Sequence, residues 1–387
     1  MSEDRQSAGA AAATQPLERA RALVLAHGTA ANSYQILNPG IAYWFSRDGD
    51  AVAGFVEFGR FRIVAGAPTC APQRLAAVLD EFERDARSSG LRVCYFGGEA
   101  ALASALGSSS RHALLSLGAQ PVWNPSHWAD CVGTHASLRA QLRRARNKAV
   151  LVREVPTDVP VDVAPLQRCL DEWVATRAAP PMHFLVEPQT LGRLFDRRLF
   201  IAERYGDIVG FLVASPVPGR QGWLIEQVIR GRGSVNGTAE LLIDAAIREL
   251  ARDGSRFVTL GLSPLSPRAQ AEPGKPPPWL RLLLGWLRAH GRRFYNFEGL
   301  DAFKAKLRPE SWEPVYAVAD RPYFSPQVLH AIAGAFTDGA PVAATLRALG
   351  WAVAQEARTL ASRLRIAGPS RPQTSPASSK TDRSSTA

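Results

Sequence analysis

The chain has 387 residues, of which 46% are hydrophobic and 21% charged, and its formal net charge is +11. This length leaves room for two domains and a tail, and the composition is that of a globular protein. The positive charge favours anionic partners, namely nucleic acid, acidic lipid headgroups or phosphorylated ligands, although a basic surface without a specific partner would give the same value. No apolar run approaches the roughly 20 residues of a membrane-spanning helix, which excludes such a helix from the sequence.

The four cysteines lie far apart, at Cys70, Cys94, Cys131 and Cys169. None belongs to a CxxC pair, and the seven histidines are scattered without ligand spacing. We therefore predict reduced intracellular thiols, with no disulfide and no metal site. The first fifteen residues lack the charged start and apolar core of a signal peptide. The sequence predicts a cytoplasmic protein, with peripheral contact at the inner face of the cell membrane as the open alternative.

The N-terminal part of the chain predicts one α/β unit over residues 16–133, after a disordered segment at 1–15. Short apolar runs separated by Asp48-Gly49 and Gly59-Arg60 indicate antiparallel strands with turns between them. In chain order the expected elements are a helix at Leu17–His27, strands at Ile41–Phe45, Val52–Phe58 and Phe61–Ala65, a helix from Pro72 to Ser89, and a strand at Arg92–Phe96.

The same order recurs over residues 151–325, which predicts a second copy of the unit. Its expected elements are strands at Leu199–Glu203, Val209–Ala214 and Trp223–Arg230, a helix at 238–252 and a strand at Arg256–Leu260. The sequences DGDAVAGFVEF and YGDIVGFLVAS are alike, as are SSGLRVCYFG and RDGSRFVTLG. Chance likeness between hairpins is the alternative, but agreement of five elements in one order favours a duplicated α/β fold with mixed sheets.

A glycine-rich bend at Gly231–Gly237 joins a strand to a helix, which places backbone N–H groups beside the positive end of the helix dipole. This arrangement suits a phosphate, although a turn that serves only the fold is as common. The stretch 134–150 predicts a basic linker helix between the two units. Its cations are Arg139, Arg143, Arg144, Arg146 and Lys148. Such a run is usually a solvated face, but beside the bend we expect contact with an anion at least as strongly.

The C-terminal part of the chain predicts helices and a tail. Residues 263–278 are Pro-rich and indicate a loop. A helix follows at Trp279–His290, with Leu280, Leu283, Leu284 and Leu287 expected to be mostly core. Further helices are expected over 326–367, among them an amphipathic helix at Pro341–Arg365 that either docks on the protein or lies in a membrane interface. Residues 368–387, rich in Ser, Thr and Pro, predict a disordered tail.

The candidate for chemistry is the stretch from Tyr295 to Tyr316, YNFEGLDAFKAKLRPESWEPVY. No Walker loop, GxSxG elbow, HExxH motif or calcium-binding loop is present, and we expect neither a metal nor a cofactor. The stretch predicts a helix that carries Lys304 and Lys306 and ends at Pro309, followed by a strand that begins at Tyr316. Lysines held beside aromatic residues can stabilise an oxyanion or bind phosphate, whereas a solvated pair is the alternative.

This stretch resembles the signature that closes the C-terminal domain of aminoacyl-phosphatidylglycerol synthases, the phosphatidylglycerol lysyltransferases of the multiple peptide resistance factor type. Three more segments are similar to parts of that domain, namely VTLGLSPLS, WLIEQVIRGRGSVNGTAELLI and the basic SLRAQLRRARNKAVLVREV. The likeness covers about residues 30–330. It implies two tandem acetyltransferase-like (GNAT) domains, in agreement with the duplication. It also implies a stand-alone soluble member, without the membrane flippase of the best-known members.

The resemblance implies an enzyme that moves an amino acid from aminoacyl-tRNA to a hydroxyl of an anionic phospholipid such as phosphatidylglycerol, or of another hydroxylated acceptor. It gives Lys306, with Lys304 beside it, the contact with the carbonyl or oxyanion. Arg230 and Glu226 complete the expected catalytic group. The residues expected to bind substrate are Gln227, Asn236, Gly237, Arg143, Arg144, Lys148 and Tyr316.

Gln227 departs from the pattern of the family. The lysyl- and alanyl-transferring members carry an aspartate three positions before the arginine, and an acidic residue on this strand commonly binds the ammonium of the incoming amino acid. Either the adjacent Glu226 takes over or the donor differs. Two other functions stay open. One is an acyl-CoA-dependent N-acetyltransferase, against which the loop after Arg230 lacks the Arg/Gln-x-x-Gly-x-Gly/Ala pattern. The other is a non-catalytic protein that binds RNA or a membrane.

Overall fold

The structure is a computed structural model that describes residues 2–107, 109–176, 183–269, 277–290 and 297–337. The helices are α1 (Ser2–His27), α2 (Leu75–Ser88), α3 (Ala100–Gly107), α4 (Trp128–Thr134), α5 (Ala136–Arg146), α6 (Ala164–Ala175), α7 (Thr238–Arg252), α8 (Pro278–His290), α9 (Phe297–Lys306) and α10 (Pro326–Phe336). The strands are β1 (Ala42–Phe45), β2 (Val52–Phe58), β3 (Phe61–Ala65), β4 (Arg92–Gly98), β5 (Ala113–Trp123), β6 (Val150–Val155), β7 (Arg198–Arg204), β8 (Asp207–Val217), β9 (Gly222–Arg230), β10 (Phe257–Thr259), β11 (Ser263–Pro264) and β12 (Ser311–Ala319).

These strands form one sheet in the order β1-β2-β3-β4-β12-β5-β10-β9-β8-β7-β6, with β11 paired to β5. Two neighbouring pairs are parallel, β3 with β4 and β9 with β10, and the others are antiparallel. A parallel pair needs a crossover, and α2 and α7 supply one each. The repeated order and the mixed α/β class predicted from the sequence are confirmed.

The two halves of the chain exchange their last long strands. Strand β5 belongs to the first half in sequence, yet it pairs with β10 and β11 of the second. Strand β12 comes from the second half and pairs with β4 of the first. The two exchanged strands also pair with each other along the whole of β12. The division into 16–133 and 151–325 therefore stays a proposal about chain order, because the sheet is continuous across it.

Strand β12 begins earlier than the sequence predicts, at Ser311 and not at Tyr316. Pro314 lies inside it, opposite Ala119 of β5. Proline cannot donate a backbone hydrogen bond, so it is confined to strand stretches with one free side. This condition is met, because β12 pairs with β4 only from Tyr316 onward.

Where the sequence predicts disorder at residues 1–15, the structure has α1, which begins at Ser2. The run Ala10–Ala13 explains the difference, because alanine has the highest helix propensity of all residues. The later part of α1 is fixed by packing, with Ala20 and Val24 fully buried in the core of the first half.

The sheet of the second half is covered on both faces, and β8 shows the alternation. Leu212 packs into a core formed around α7, which we call the α7 core. Its neighbours Phe211 and Val213 pack into a core formed around α6, the α6 core. Phe303 and Leu307 pack into the α7 core as well, so the helix of the lysine pair is fixed on that face.

The predicted basic linker contains α5, and the C-terminal region contains α10, whose first turn is capped by Ser325 Oγ accepting from the Val328 amide at 3.3 Å. The amphipathic helix expected at 341–365 and the tail expected at 368–387 lie outside the described residues. Among the residues that the structure describes, no helix is both long and apolar enough to cross a bilayer.

Candidate active site

The site forms where two parallel strands separate. Strand β10 pairs with β9 only through Phe257–Thr259, opposite Gly222–Leu224, whereas β9 continues to Arg230. After Thr259 the chain bends at Gly261, whose φ is +67°, and then pairs with β5 instead. An opening at the carboxyl ends of parallel strands is where α/β folds commonly bind ligands.

Lys304 closes this opening from the side of α9. Its side chain is buried, and Nζ donates to the backbone carbonyl oxygens of Leu260, Gly261 and Leu262 at 2.8, 2.8 and 2.9 Å. Burial lowers the pKa of Lys304 to about 7, against the opposing charge of Asp301. Because the three N–H groups of an ammonium match three acceptors, the lysine fixes the bend that follows β10.

Lys306 lies two residues after Lys304, at the C-terminal end of α9, and is partly buried. Its Nζ is 2.8 Å from Oε1 of Glu240, in the first turn of α7. The pair joins the last turn of α9 to the first turn of α7. A carboxylate at a helix N-terminus is favoured by the helix dipole. Unlike Lys304, Lys306 keeps part of its side chain in contact with solvent, since its side chain is 34% exposed.

The bend before α7 is built for close packing against α5. Gly237 caps the helix in a left-handed conformation, with φ of +97°, and a Cβ atom there would overlap the carbonyl oxygen of Gln141. Asn236 beside it is exposed. Thus Gly237 is required by the approach of two helices, whether or not a ligand binds there.

The basic helix α5 therefore borders the start of α7. Leu138, Leu142 and Ala145 bury one of its sides in the α7 core. Arg143, Arg144 and Lys148 are exposed on the other sides. Arg146 instead pairs with the buried Asp244 of α7 at 3.0 Å. The helix that carries the exposed predicted cations thus packs against α7, whose first turn contains Glu240.

Glu226 lies at a β-bulge of β9, because Val213 and Ala214 of β8 pair with Gln227 and Ile225. Its Oε1 accepts from Nε of Arg197 at 2.6 Å, and both side chains are almost fully buried. Arg197 also donates to Asn38 Oδ1 at 2.9 Å. In this structure the carboxylate of Glu226 forms an ion pair with Arg197. Binding of an ammonium by Glu226 stays a prediction.

Gln227 is buried and uses its whole amide. Nε2 donates to the backbone carbonyl oxygens of Glu187 and Pro188 at 3.1 and 3.0 Å, and Oε1 accepts from Thr190 Oγ1 at 3.1 Å. An ionised carboxylate could not replace the amide here, because it has no N–H to donate to the two carbonyls. Leu191 and Leu194, which follow Thr190 in the chain, pack into the α6 core. Gln227 therefore lies on the face of the sheet opposite to α7.

The remaining predicted residues are spread out. Arg230 is exposed at the end of β9, opposite Gly210 of β8. Tyr316 is buried on β12 in the core that holds Phe82 and Tyr95 of the first half. The structure therefore places Lys306 at the start of α7 and Lys304 at the bend after β10, and it buries Tyr316 in a different core.

The sequence analysis did not predict two sets of interacting polar residues. Glu240 is the partner of Lys306, and its place in the first turn after the Asn-Gly pair was the available signal. The second group lies at the strand exchange, where Arg220 binds Glu313 through two bonds of 2.7 and 2.6 Å, and Gln120 donates to both Glu313 and Glu99. Burial raises the pKa of Glu99. Burial would also raise the pKa of Glu313, but the bonds and charge of Arg220 outweigh it and the pKa is lowered.

No group of three or more His, Cys, Asp or Glu side chains that could hold a metal ion occurs among the described residues. A cavity of about 340 Å³ opens beside the turn that follows Lys306. Trp123, whose Nε1 donates to the Leu307 carbonyl at 3.0 Å, lines it together with Cys131 and Arg308. The cavity is open to solvent and is also lined by Asp130 and Glu310, so its wall carries charge of both signs, and neither Lys304 nor Lys306 is among its lining residues.

The chain is similar to known proteins both in sequence and in fold. A curated relative, the phosphatidylglycerol lysyltransferase of Bacillus subtilis (strain 168), is 24% identical over 277 residues, which make up 71% of this chain and 31% of the relative. The chain thus spans about a third of that protein's length. The solved structure of L-PGS from Bacillus licheniformis is similar to this chain, with a TM-score of 0.68 and 20% sequence identity. The superposition covers 86% of this chain and 95% of that one.

The C-terminal DUF2156 domain of a protein assigned as a lysylphosphatidylglycerol synthetase in Agrobacterium fabrum gives a TM-score of 0.71 at 21% identity, covering 84% of this chain and 98% of that one. At these identities the structural likeness is one of fold. The sequence itself matches the family described as "Phosphatidylglycerol lysyltransferase, C-terminal" over residues 21–319, well over half of the chain. The chain therefore belongs to the family of phosphatidylglycerol lysyltransferase C-terminal domains.

Proposed function

We propose that this chain is an aminoacyltransferase that moves an amino acid from aminoacyl-tRNA to a hydroxyl of a lipid headgroup such as phosphatidylglycerol. The observation that carries the proposal is the family match over residues 21–319, which takes in the lysine pair and the separating strands β9 and β10. The net charge of +11 supports it, because both the donor and the acceptor carry phosphates.

The reaction exchanges one ester for another. The acceptor hydroxyl oxygen attacks the ester carbonyl carbon of the donor, and a tetrahedral oxyanion forms. Its collapse breaks the bond to the ribose oxygen of the tRNA, which leaves with the proton that the attacking hydroxyl gives up. No oxidant or nucleotide is consumed. Catalysis then depends on holding the two substrates together and on positive charge at the oxyanion.

We assign the contact with the carbonyl or oxyanion to Lys306, which is half-exposed and oriented by Glu240. Lys304 supports it by fixing the bend after β10 through three carbonyls. Arg230, at the end of β9, is proposed to support the substrate phosphates. In this assignment Lys306 acts on the reacting atoms, and Lys304 acts through the backbone that it holds.

The donor side is proposed to include α5. Arg143, Arg144 and Lys148 are exposed, and with Asn236 at the start of α7 they would contact the phosphates of the tRNA. The amide of Gln227 is saturated by backbone and Thr190, so the charge-bearing role of an aspartate at this position is not carried over. Glu226 would bind an ammonium only if its ion pair with Arg197 broke. Tyr316 is buried in a different core, so any effect of it on substrate binding would be indirect. The amino acid carried stays open.

Purified protein incubated with radiolabelled aminoacyl-tRNAs and phosphatidylglycerol vesicles tests the proposal by chromatography of the lipid. We expect a labelled lipid with one or a few amino acids, and loss of most of the activity in Lys306→Ala. Arg84→Ala, which removes an exposed cation on α2 of the first half, serves as the control. No labelled lipid with any donor, together with binding of coenzyme A, would instead support the acyl-CoA-dependent N-acetyltransferase.

The proposed location is the cytoplasm, with peripheral contact at the inner face of the cell membrane. A lipid acceptor requires that the enzyme reach a bilayer, and the positive net charge favours an anionic surface. Fractionation of cells into cytosol and membrane, with and without a high-salt wash, tests this. An enzyme confined to the cytosol at every salt concentration would contradict the membrane contact.

A further inference from the structure

Helix α8 (Pro278–His290) exposes an apolar face. One side of it is anchored, because Leu280 is almost fully buried and Leu284 packs against the same core of the first half. On its outer side Leu282 is 76% exposed, and Trp279 and Leu283 are exposed as well. The sequence had predicted Leu283 to be mostly core, and the structure corrects this: the helix docks through Leu280 and Leu284.

This grouping is unusual within the part of the chain that the structure describes. Three large apolar side chains are exposed within five consecutive positions of one helix. The other exposed ones are spread along the chain, at Leu151, Val159, Val163, Val186, Tyr205 and Tyr323. Single exposed apolar residues are normal on a protein surface, whereas a contiguous group of them usually marks an interaction site.

The charge of α8 indicates what covers this face. Arg281 is exposed next to Leu282. The sequence of the helix contains a second arginine and no acidic residue, and the sequence that follows it adds Arg292 and Arg293. A helix that combines tryptophan, leucines and arginines without carboxylates has the composition of one that lies in the interface of an anionic bilayer.

The dimensions agree with a helix that lies on a membrane. At about 1.5 Å per residue, its 13 residues reach roughly 20 Å, less than the hydrocarbon core of about 30 Å. Tryptophan prefers the headgroup region, and arginine can extend toward phosphates while its stem stays in apolar surroundings. The helix lies between β11 and α9 along the chain, and Arg268 before it binds Asp301 of α9 at 2.8 Å.

We propose that the outer face of α8, formed by Trp279, Arg281, Leu282 and Leu283, inserts into the interface of an anionic phospholipid bilayer and holds the protein on the lipid that it modifies. The inference rests on the proposed function for the identity of the bilayer as substrate. It adds the surface that makes the contact, which neither the fold nor the family match assigns.

Flotation with vesicles tests the proposal, using vesicles of phosphatidylcholine alone and vesicles with about 30 mol% phosphatidylglycerol. Leu282→Glu places a carboxylate at the centre of the face. Leu151→Glu is the matched control, because Leu151 is 73% exposed on β6, away from α8. We expect Leu282→Glu to weaken binding to the anionic vesicles at least about tenfold, with Leu151→Glu within about twofold of the unaltered protein. Equal binding by both variants would overturn the proposal, as would absence of vesicle binding by the unaltered protein.

Two further measurements separate the alternatives. Sedimentation velocity without lipid is expected to give the same species for Leu282→Glu and the unaltered protein; loss of an oligomer in the variant would show that α8 binds a second copy and would overturn the membrane contact. Aminoacyl transfer to detergent-dispersed phosphatidylglycerol is expected to survive Leu282→Glu. If no protein transfers to dispersed lipid while vesicle binding still depends on Leu282, the proposed function fails and the membrane contact stands.

Discussion

Replacing Gln227 by glutamate changes the site with little change of shape. The substitution would restore a carboxylate close to where the family pattern has aspartate. The structure predicts that it destabilises the fold, because the two carbonyl oxygens of Glu187 and Pro188 lose their amide donors. Each buried acceptor left without a partner costs about 1–3 kcal/mol, so the loss is about 2–6 kcal/mol. That is a large part of the roughly 5–15 kcal/mol by which domains are stable.

The effect should depend on pH. Burial opposite two carbonyls raises the pKa of the new carboxyl above its unfolded value of about 4.3. The protonated acid is tolerated better than the carboxylate, so the destabilisation is small below that pH and grows as the pH rises through the folded pKa. Urea unfolding at pH 5 and at pH 8 measures it, with Gln189→Glu, an exposed position of the same segment, as control. A variant as stable as the control at pH 8, or equally destabilised at both pH values, would refute the role of the amide.

Glu240→Gln should lower transfer by roughly tenfold while Lys306→Ala lowers it by about a hundredfold or more, because the first loosens the cation and the second removes it; equal effects in single-turnover assays would contradict this order. Charge reversal at Arg143 and Arg144 should weaken tRNA binding several-fold at low salt and less at high salt, and a salt-independent loss in filter binding would argue against phosphate contacts. Lys304 has a folded pKa of about 7, below its ordinary value of 10.5, so the folded state binds fewer protons and the stability of the unaltered protein gains about 3 kcal/mol between pH 7 and pH 9.5. Lys304→Met should lack that gain in urea unfolding, and the same pH dependence in both proteins would show that the lysine is not the group responsible.

Local patterns in the sequence were enough for the repeated units and for the position of the lysine pair. Helix α7 occurs at the predicted residues, since capping and apolar spacing are local properties. The exchange of β5 and β12 was not predictable, because a strand has the same alternation whichever neighbour it pairs with. Strand β5 itself was missed, and Gly118 and Pro121 inside it are residues that usually indicate a loop.

The roles of the individual site residues depended on contacts between distant parts of the chain. Glu226 and Arg197 are 29 residues apart, and Lys306 and Glu240 are 66 apart. No spacing rule relates such pairs. The same holds for Lys304. The family resemblance predicts a role for it beside Lys306, but not that it donates to three backbone carbonyls.

The exchange of β5 and β12 also has a consequence for how the protein is made. The edge of β4 gains its neighbour only when residues 311–319 have left the ribosome, long after residues 92–98. Until then the nascent chain carries an open sheet edge, which can pair with other chains. Synthesis of the first half alone would leave that edge permanently open, so fragments cut between α5 and β6 should aggregate where the whole chain does not.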